Sequence, residues 1–202
     1  GFTRTIGEDI DGDGRDDGAT AGFPTAQWSL PVSGKWFGDR VSKLAFSGHW
    51  GRESIESPVE GRSGELPTWS VIGSWSIPFA DAWSLQGSVW YGSNLDTYYG
   101  GVGQGVNPVT GLSIDAQGGW AQLSWVPVSQ VTLSVGAGID DPDDADLIPG
   151  MRSCNEMLGA NVYYKLGGGL SVAFEYTWTK TSYLERDSAD NNRLQSAVIY
   201  SF

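Results

Sequence analysis

Cysteine is nearly missing from this sequence: Cys154 stands alone, which excludes an internal disulfide framework and a thiolate metal cluster within the chain. Basic residues are scarce as well. Twelve Lys and Arg against 24 Asp and Glu leave a net charge of -12, and a surface that must neutralise phosphates cannot be built from that balance, so nucleic acid is excluded as a partner. Histidine occurs once, at His49, so any catalytic triad has a single candidate base. Long hydrophobic runs are also absent. No stretch approaches the ~18 apolar residues of a membrane-spanning helix.

What is abundant points to strands. Gly 29, Trp 10, Tyr 8 and Phe 7 favour pleated segments, tight turns and aromatics at an interface. From Val131 to Ile139 the alternation is strict, with Val131, Leu133, Val135, Ala137 and Ile139 apolar and Thr132, Ser134, Gly136 and Gly138 between them. Leu170 to Thr179 repeats the pattern at the ~9 to 11 residues that a tilted membrane-crossing strand needs. Similar runs at Thr25–Ser33, Ser42–Trp50, Thr68–Phe79, Trp83–Asn94, Ser113–Val126, Glu156–Leu166 and Asn192–Phe202 bring the count to about nine strands.

Connections alternate in length. Short ones at Pro127–Gln130 and Gly167–Gly169 take turns with long ones near 51–66, 95–111, 140–155 and 181–191, as periplasmic turns and extracellular loops do in outer-membrane barrels. Acidic residues gather in the long connections and in the first 23 residues and largely spare the strands. A lipid-facing band requires that sparing, because a charge at bilayer depth costs a few kcal/mol. The expected class is therefore all-β, an antiparallel transmembrane β-barrel, with residues 1–23 an acidic extracellular loop and residues 24–202 the strands.

The last strand places Leu194, Val198, Tyr200 and the terminal Phe202 on one face. It resembles the final strand of bacterial outer-membrane barrels generally, whose terminal aromatic is read by the insertion machinery; that resemblance makes Tyr200 and Phe202 the insertion signal. A wider resemblance rests on Ser47-Gly48-His49-Trp50-Gly51, Gly100-Gly101-Val102-Gly103-Gln104-Gly105, Gly118-Gly119-Trp120 and the ending at Phe202. Through these the chain is similar to porins of the DcaP-like kind, and the resemblance implies a homotrimeric channel for small polar solutes, set in outer-membrane lipid and lipopolysaccharide.

Parity adds an expectation. With Phe202 in the periplasm and nine strands before it, the first strand runs inward from outside, whereas closed bacterial barrels carry even strand numbers. An N-terminal portion outside these residues, in a barrel of 16 or 18 strands, would restore the parity.

If the apolar faces meet lipid, the pore is lined by Lys43, His49, Gln86, Trp90, Gln122, Asn161, Tyr163, Lys165, Glu175 and Arg193, among serines and threonines. Such a wall replaces water around a neutral solute without trapping it. Trp90, Trp120 and Tyr163 offer stacking faces for sugars. Near the start, Asp9, Asp11, Asp13 and Asp17 have the alternate spacing of a calcium loop, with glycine at Gly12 and Gly14, but Thr20 stands where a bidentate Glu belongs. Calcium held there suits the alternative function, a structural or adhesive barrel with binding loops. Asp140, Asp141, Asp143, Asp144 and Asp146 read as a solvated acidic run. An enzyme needs His49 with Ser47 and Glu53 in a fixed arrangement that spacing alone does not supply, so the expectation is a channel and not an enzyme.

Overall fold

A computed structural model covers the chain and describes all residues except 6, 8, 10–13, 55–63 and 99. Among the described residues, ten strands follow one another in a single antiparallel meander, each paired only with its neighbours in sequence. They are β1 (Phe2–Arg4), β2 (Pro24–Gly34), β3 (Ser42–Ser54), β4 (Glu65–Ala80), β5 (Trp83–Ser93), β6 (Asp115–Val128), β7 (Val131–Pro142), β8 (Arg152–Gly167), β9 (Leu170–Tyr183) and β10 (Arg186–Tyr200). β1 is a three-residue addition to β2, so the long strands number nine, as the alternation predicts. Among the described residues the sheet is not closed: β10 pairs only with β9, and β1 pairs only with β2.

The two faces of the sheet differ as lipid and water differ. Cross-strand pairing puts Leu30, Phe46 and Gly73 side by side on one face, and Leu133, Val162 and Phe174 on the same face further round. Leu30, Phe46, Val89, Val135, Leu158, Phe174, Leu194 and Val198 are all exposed, an arrangement that water would penalise and hydrocarbon rewards. Aromatics rim this band at both ends. Phe23 meets Trp50 edge-on at 5.1 Å and Trp69 meets Tyr91 at 5.4 Å at one end; Trp83 stacks on Trp125 at 5.5 Å at the other. β3 runs past its rim residue Trp50, so Gly51–Ser54 stand clear of the apolar band.

Turn chemistry separates the two ends of the sheet. At the Trp83–Trp125 end, Asp81-Ala82 and Ser129-Gln130 are two-residue connections, and Gly167, Gly168 and Gly169 take φ of 97°, 61° and 80°, a left-handed path that side chains resist. At the Trp50–Trp69 end the connections are longer, but the ladder reaches into the segments expected as loops: β3 runs to Ser54, β7 to Pro142, and β8 starts at Arg152. The segment 181–191 is ladder rather than loop: β9 and β10 continue to a tight turn at Leu184-Glu185. Its charged residues mislead because a ladder that has left the apolar band can carry charge freely.

The first 23 residues also carry structure. A short helix, α1 (Asp17–Thr20), is capped by Asp16, whose carboxylate accepts from the Ala19 and Gly7 amides at 3.0 Å. Thr20 Oγ1 donates to Ser54 O at 2.6 Å and ties the helix to the end of β3.

Candidate lumenal site

The polar face has its own internal order. One cross-strand row runs Ser33, Lys43, Ser76, Gln86, Gln122, Gly136, Gly159, Thr177 and Arg193, so four of the predicted wall residues share a single line across the sheet. The neighbouring row places Ser84, Ser124, Ser134, Asn161, Glu175 and Gln195 side by side. Its members bond one another: Ser124 and Ser134 hydroxyls meet at 2.9 Å, and Glu175 Oε1 accepts from Gln195 Nε2 at 2.5 Å. Lys43, Gln86, Lys165 and Arg193 are exposed, and Trp90, Gln122, Asn161, Tyr163 and Glu175 half-buried.

His49, expected on the pore wall, is a hydrogen-bonded residue under cover. It lies on the polar face but only 4 % exposed, because Tyr98 covers it face to face. Ser70 Oγ lies 2.7 Å from Nδ1 and Thr68 Oγ1 3.0 Å from Nε2, so both ring nitrogens are engaged by β4. Neither Ser47 nor Glu53 is its partner in these bonds, so the triad arrangement is not assembled.

Tyr98 belongs to the β5–β6 connection, residues 94–114, which folds inward against the polar face. Asn94 begins it with φ 55°, a left-handed turn that asparagine tolerates. Leu95 then drops to 2 % exposure beside Ser70, Ile72, Ser88 and Trp90, which brings the 3₁₀ turn Asp96–Tyr98 over β3 and β4. Gly101, Val102 and Gly103 follow with φ of 64°, 52° and 66°, and this left-handed run aims successive amides the same way. Asp140 fills the concavity, one carboxylate oxygen accepting from Gly101 N at 3.0 Å and the other from Val102 N at 2.8 Å. Further along, Gln104 exchanges two bonds with the Arg152 backbone, at 2.8 and 2.9 Å. Asn107 closes a local turn by accepting from the Val109 and Thr110 amides and donates to Asp146 O at 2.6 Å. The connection is therefore a strap, held on β3 and β4 at one end and on β7 and β8 at the other.

The same bonds revise the acidic run at 140–146. Asp140 clamps the strap, Asp143 caps the 3₁₀ turn Asp144–Asp146 through the Ala145 amide at 3.0 Å, and Asp146 accepts from Asp115 N at 3.0 Å. Sequence reasoning missed this because acids bound to backbone amides look the same in a sequence as acids in water.

Beneath the strap's first turn lies a second buried polar group. Glu53 is 1 % exposed and its Oε2 accepts from Asn94 Nδ2 at 2.9 Å. Burial pushes this carboxyl up to about 8, the Asn94 bond opposing and the charges of Asp96, Asp17 and Asp16 reinforcing the shift. Asp96 is raised above the usual carboxylate range for the same first reason, removal from water.

Of the predicted calcium ligands, Asp11 and Asp13 lie outside the described residues. Asp9 is exposed and accepts from Gly14 N at 3.1 Å, while Asp17 is buried in α1. Among the described residues, no group of three or more His, Cys, Asp or Glu side chains is placed to hold a metal ion.

A meander of strands of this length, greasy and aromatic-rimmed outside and polar within, has the fold of a porin-type outer-membrane barrel wall. Among solved structures the chain is similar to the outer membrane channel DcaP of Acinetobacter baumannii, with a TM-score of 0.68 and 13% sequence identity over 90% of this chain and 54% of that one. The chain thus spans about half the length of that channel. No family model matches the sequence, and no curated protein matches it.

Proposed function

We propose that the chain forms wall and strap of an outer-membrane channel through which small hydrophilic solutes diffuse passively. The observation that carries this reading is the separation of the two faces. A continuous polar inner surface, rich in hydroxyl and amide groups, backs onto an exposed apolar band with aromatic rims. Hydrogen-bonding groups of that kind exchange with the hydration shell of a passing solute and release it, which is transport rather than catalysis.

An open sheet edge cannot stand in hydrocarbon, so in this reading β10 and the free edge of β2 pair with further strands. β2 to β10 make nine spanning strands, and antiparallel closure then takes an odd number more. The long connections, strap included, face outside, and the Trp83–Trp125 end with Tyr200 and Phe202 faces the periplasm, in contact with the insertion machinery during assembly. Lipid and lipopolysaccharide surround the apolar band, and three such barrels associate.

Liposome swelling tests the proposal. Vesicles carrying the native protein, purified from its membrane, should swell in sugars and amino acids of rising size up to a cutoff. Vesicles that contain inserted protein and admit none of them would refute it.

A further inference from the structure

Trp120 stands between two hollows on the inner face. On one side a cavity of about 290 Å³ lies under the strap, with Ser70, Ser88 and Trp90 as its floor and Leu95 and Tyr98 at its edge. On the other a cavity of about 130 Å³ opens over the glycines of β7 and β8, Gly136 and Gly159, whose missing side chains make the trough. Its rim is Gln122, Asn161, Glu175 and Thr177. Trp120 lines both and is 41 % exposed. Tyr98, 40 % exposed, adds its phenol ring at the edge of the first hollow, held in place by its stack on His49.

The lining chemistry narrows the ligand. Among the described residues no cationic side chain lines either hollow, Arg193 standing one strand beyond Thr177, and the Glu175 carboxylate on the rim, which accepts from Gln195 and Thr177, opposes an anion. An exposed indole face flanked by amide, hydroxyl and carboxylate groups suits a ring with apolar C–H faces and a polar rim of hydroxyls. Two hollows sharing one indole suit two such rings joined in a chain. We infer that the wall around Trp120 is a binding site for a neutral oligosaccharide of at least two sugar units, one in each hollow with Trp120 between them. This site rests on the channel reading above and gives it a substrate class: the sugar slides from the strap side of Trp120 to the glycine trough.

The test uses the native protein, Trp120→Ala and Gln122→Leu, each shown folded by heat-modifiable gel migration, in planar bilayers with maltotriose, glucose and benzyl alcohol as probes. Maltotriose should interrupt the native current in a saturable way, glucose at least tenfold more weakly, and benzyl alcohol not at all. Both variants should weaken the maltotriose block at least tenfold. Equal maltotriose block in native and variant channels, no block in channels that conduct, or block by benzyl alcohol alone would each overturn the site. A protein that inserts but passes no current refutes the channel reading instead. The sugar site is then read in detergent: a saturable change in native tryptophan fluorescence with maltotriose upholds it, and a flat titration ends it.

Discussion

The Tyr98 ring lies 3.7 Å from the His49 ring, with the two planes 16° from parallel, and this stack is where the β5–β6 strap meets the inner wall. The pairing couples a strand residue chosen for its polar face to a loop residue that nothing in the strand pattern announces. An aromatic stack of this kind contributes about 1 kcal/mol beyond the area it buries. Tyr98→Ala should therefore loosen the first turn of the strap without unfolding the sheet. Hydrogen exchange of residues 95–100 should quicken severalfold, while the β8–β9 ladder keeps its protection. Unchanged exchange in the strap would mean that the stack does not hold it.

The clamp at the other end makes a stronger demand. Asp140 satisfies two amides with one carboxylate, and Val102 accepts a left-handed φ of 52° to present its share. Losing two charge-assisted bonds costs roughly 2 kcal/mol or more. Asp140→Ala should raise exchange at Gly101 and Val102 at least tenfold and broaden the open-channel current. Val102→Gly should act in the opposite sense, removing about 1 kcal/mol of left-handed strain and slowing exchange there.

The sign of the pH dependence follows from Glu53. In the unfolded chain its carboxyl titrates near 4.5; in the folded protein burial holds it protonated up to about 8. Between those values the folded state keeps a proton that the unfolded state has released, so stability falls as pH rises from 4.5 to 8 and is level on either side. Glu53→Gln keeps an oxygen for the Asn94 amide and carries no titratable proton. Strap protection should decline with rising pH in the native protein and much less in the variant. Parallel declines in both would assign the effect elsewhere.

Glycine opposite tryptophan is a repeated device on both faces. Gly48 pairs with Trp28, Gly87 with Trp75 and Gly118 with Trp90, and in each pair a Cβ on the glycine would collide with the indole that lies across it. At Gly87 the Cβ would also come within 2.5 Å of Trp120 O. Gly87→Val should cost about 1–3 kcal/mol through overpacking and lower the folded fraction after refolding into detergent, read by heat-modifiable migration. A fully folded variant would show that the indole can swing aside into lipid.

Most of the sheet was legible because strand alternation is local: Val131 to Ile139 reads as a lipid-facing strand without reference to any other segment. The polar face followed from the same alternation, and pairing puts Lys43, Gln86, Gln122 and Arg193 in one row of it. The strap was not legible. Its hold depends on Tyr98 meeting His49, Asp140 meeting the Gly101-Val102 amides and Gln104 meeting Arg152, pairs 38 to 49 residues apart that share no periodicity. The one local signal was the glycine run at 100–105, since consecutive left-handed residues need it. Thr181 to Asn191 misled in the other direction, because charge marks distance from lipid and not the end of a ladder.

Single-channel conductance tests the central claim most directly. The native protein, purified from its membrane and reconstituted in a planar bilayer, is recorded in a salt gradient. We expect stable discrete current steps, noisier in Asp140→Ala as the strap frees itself from β7. Protein that is demonstrably inserted yet silent, in native form and with the strap released, would contradict the claim that this wall encloses a pore.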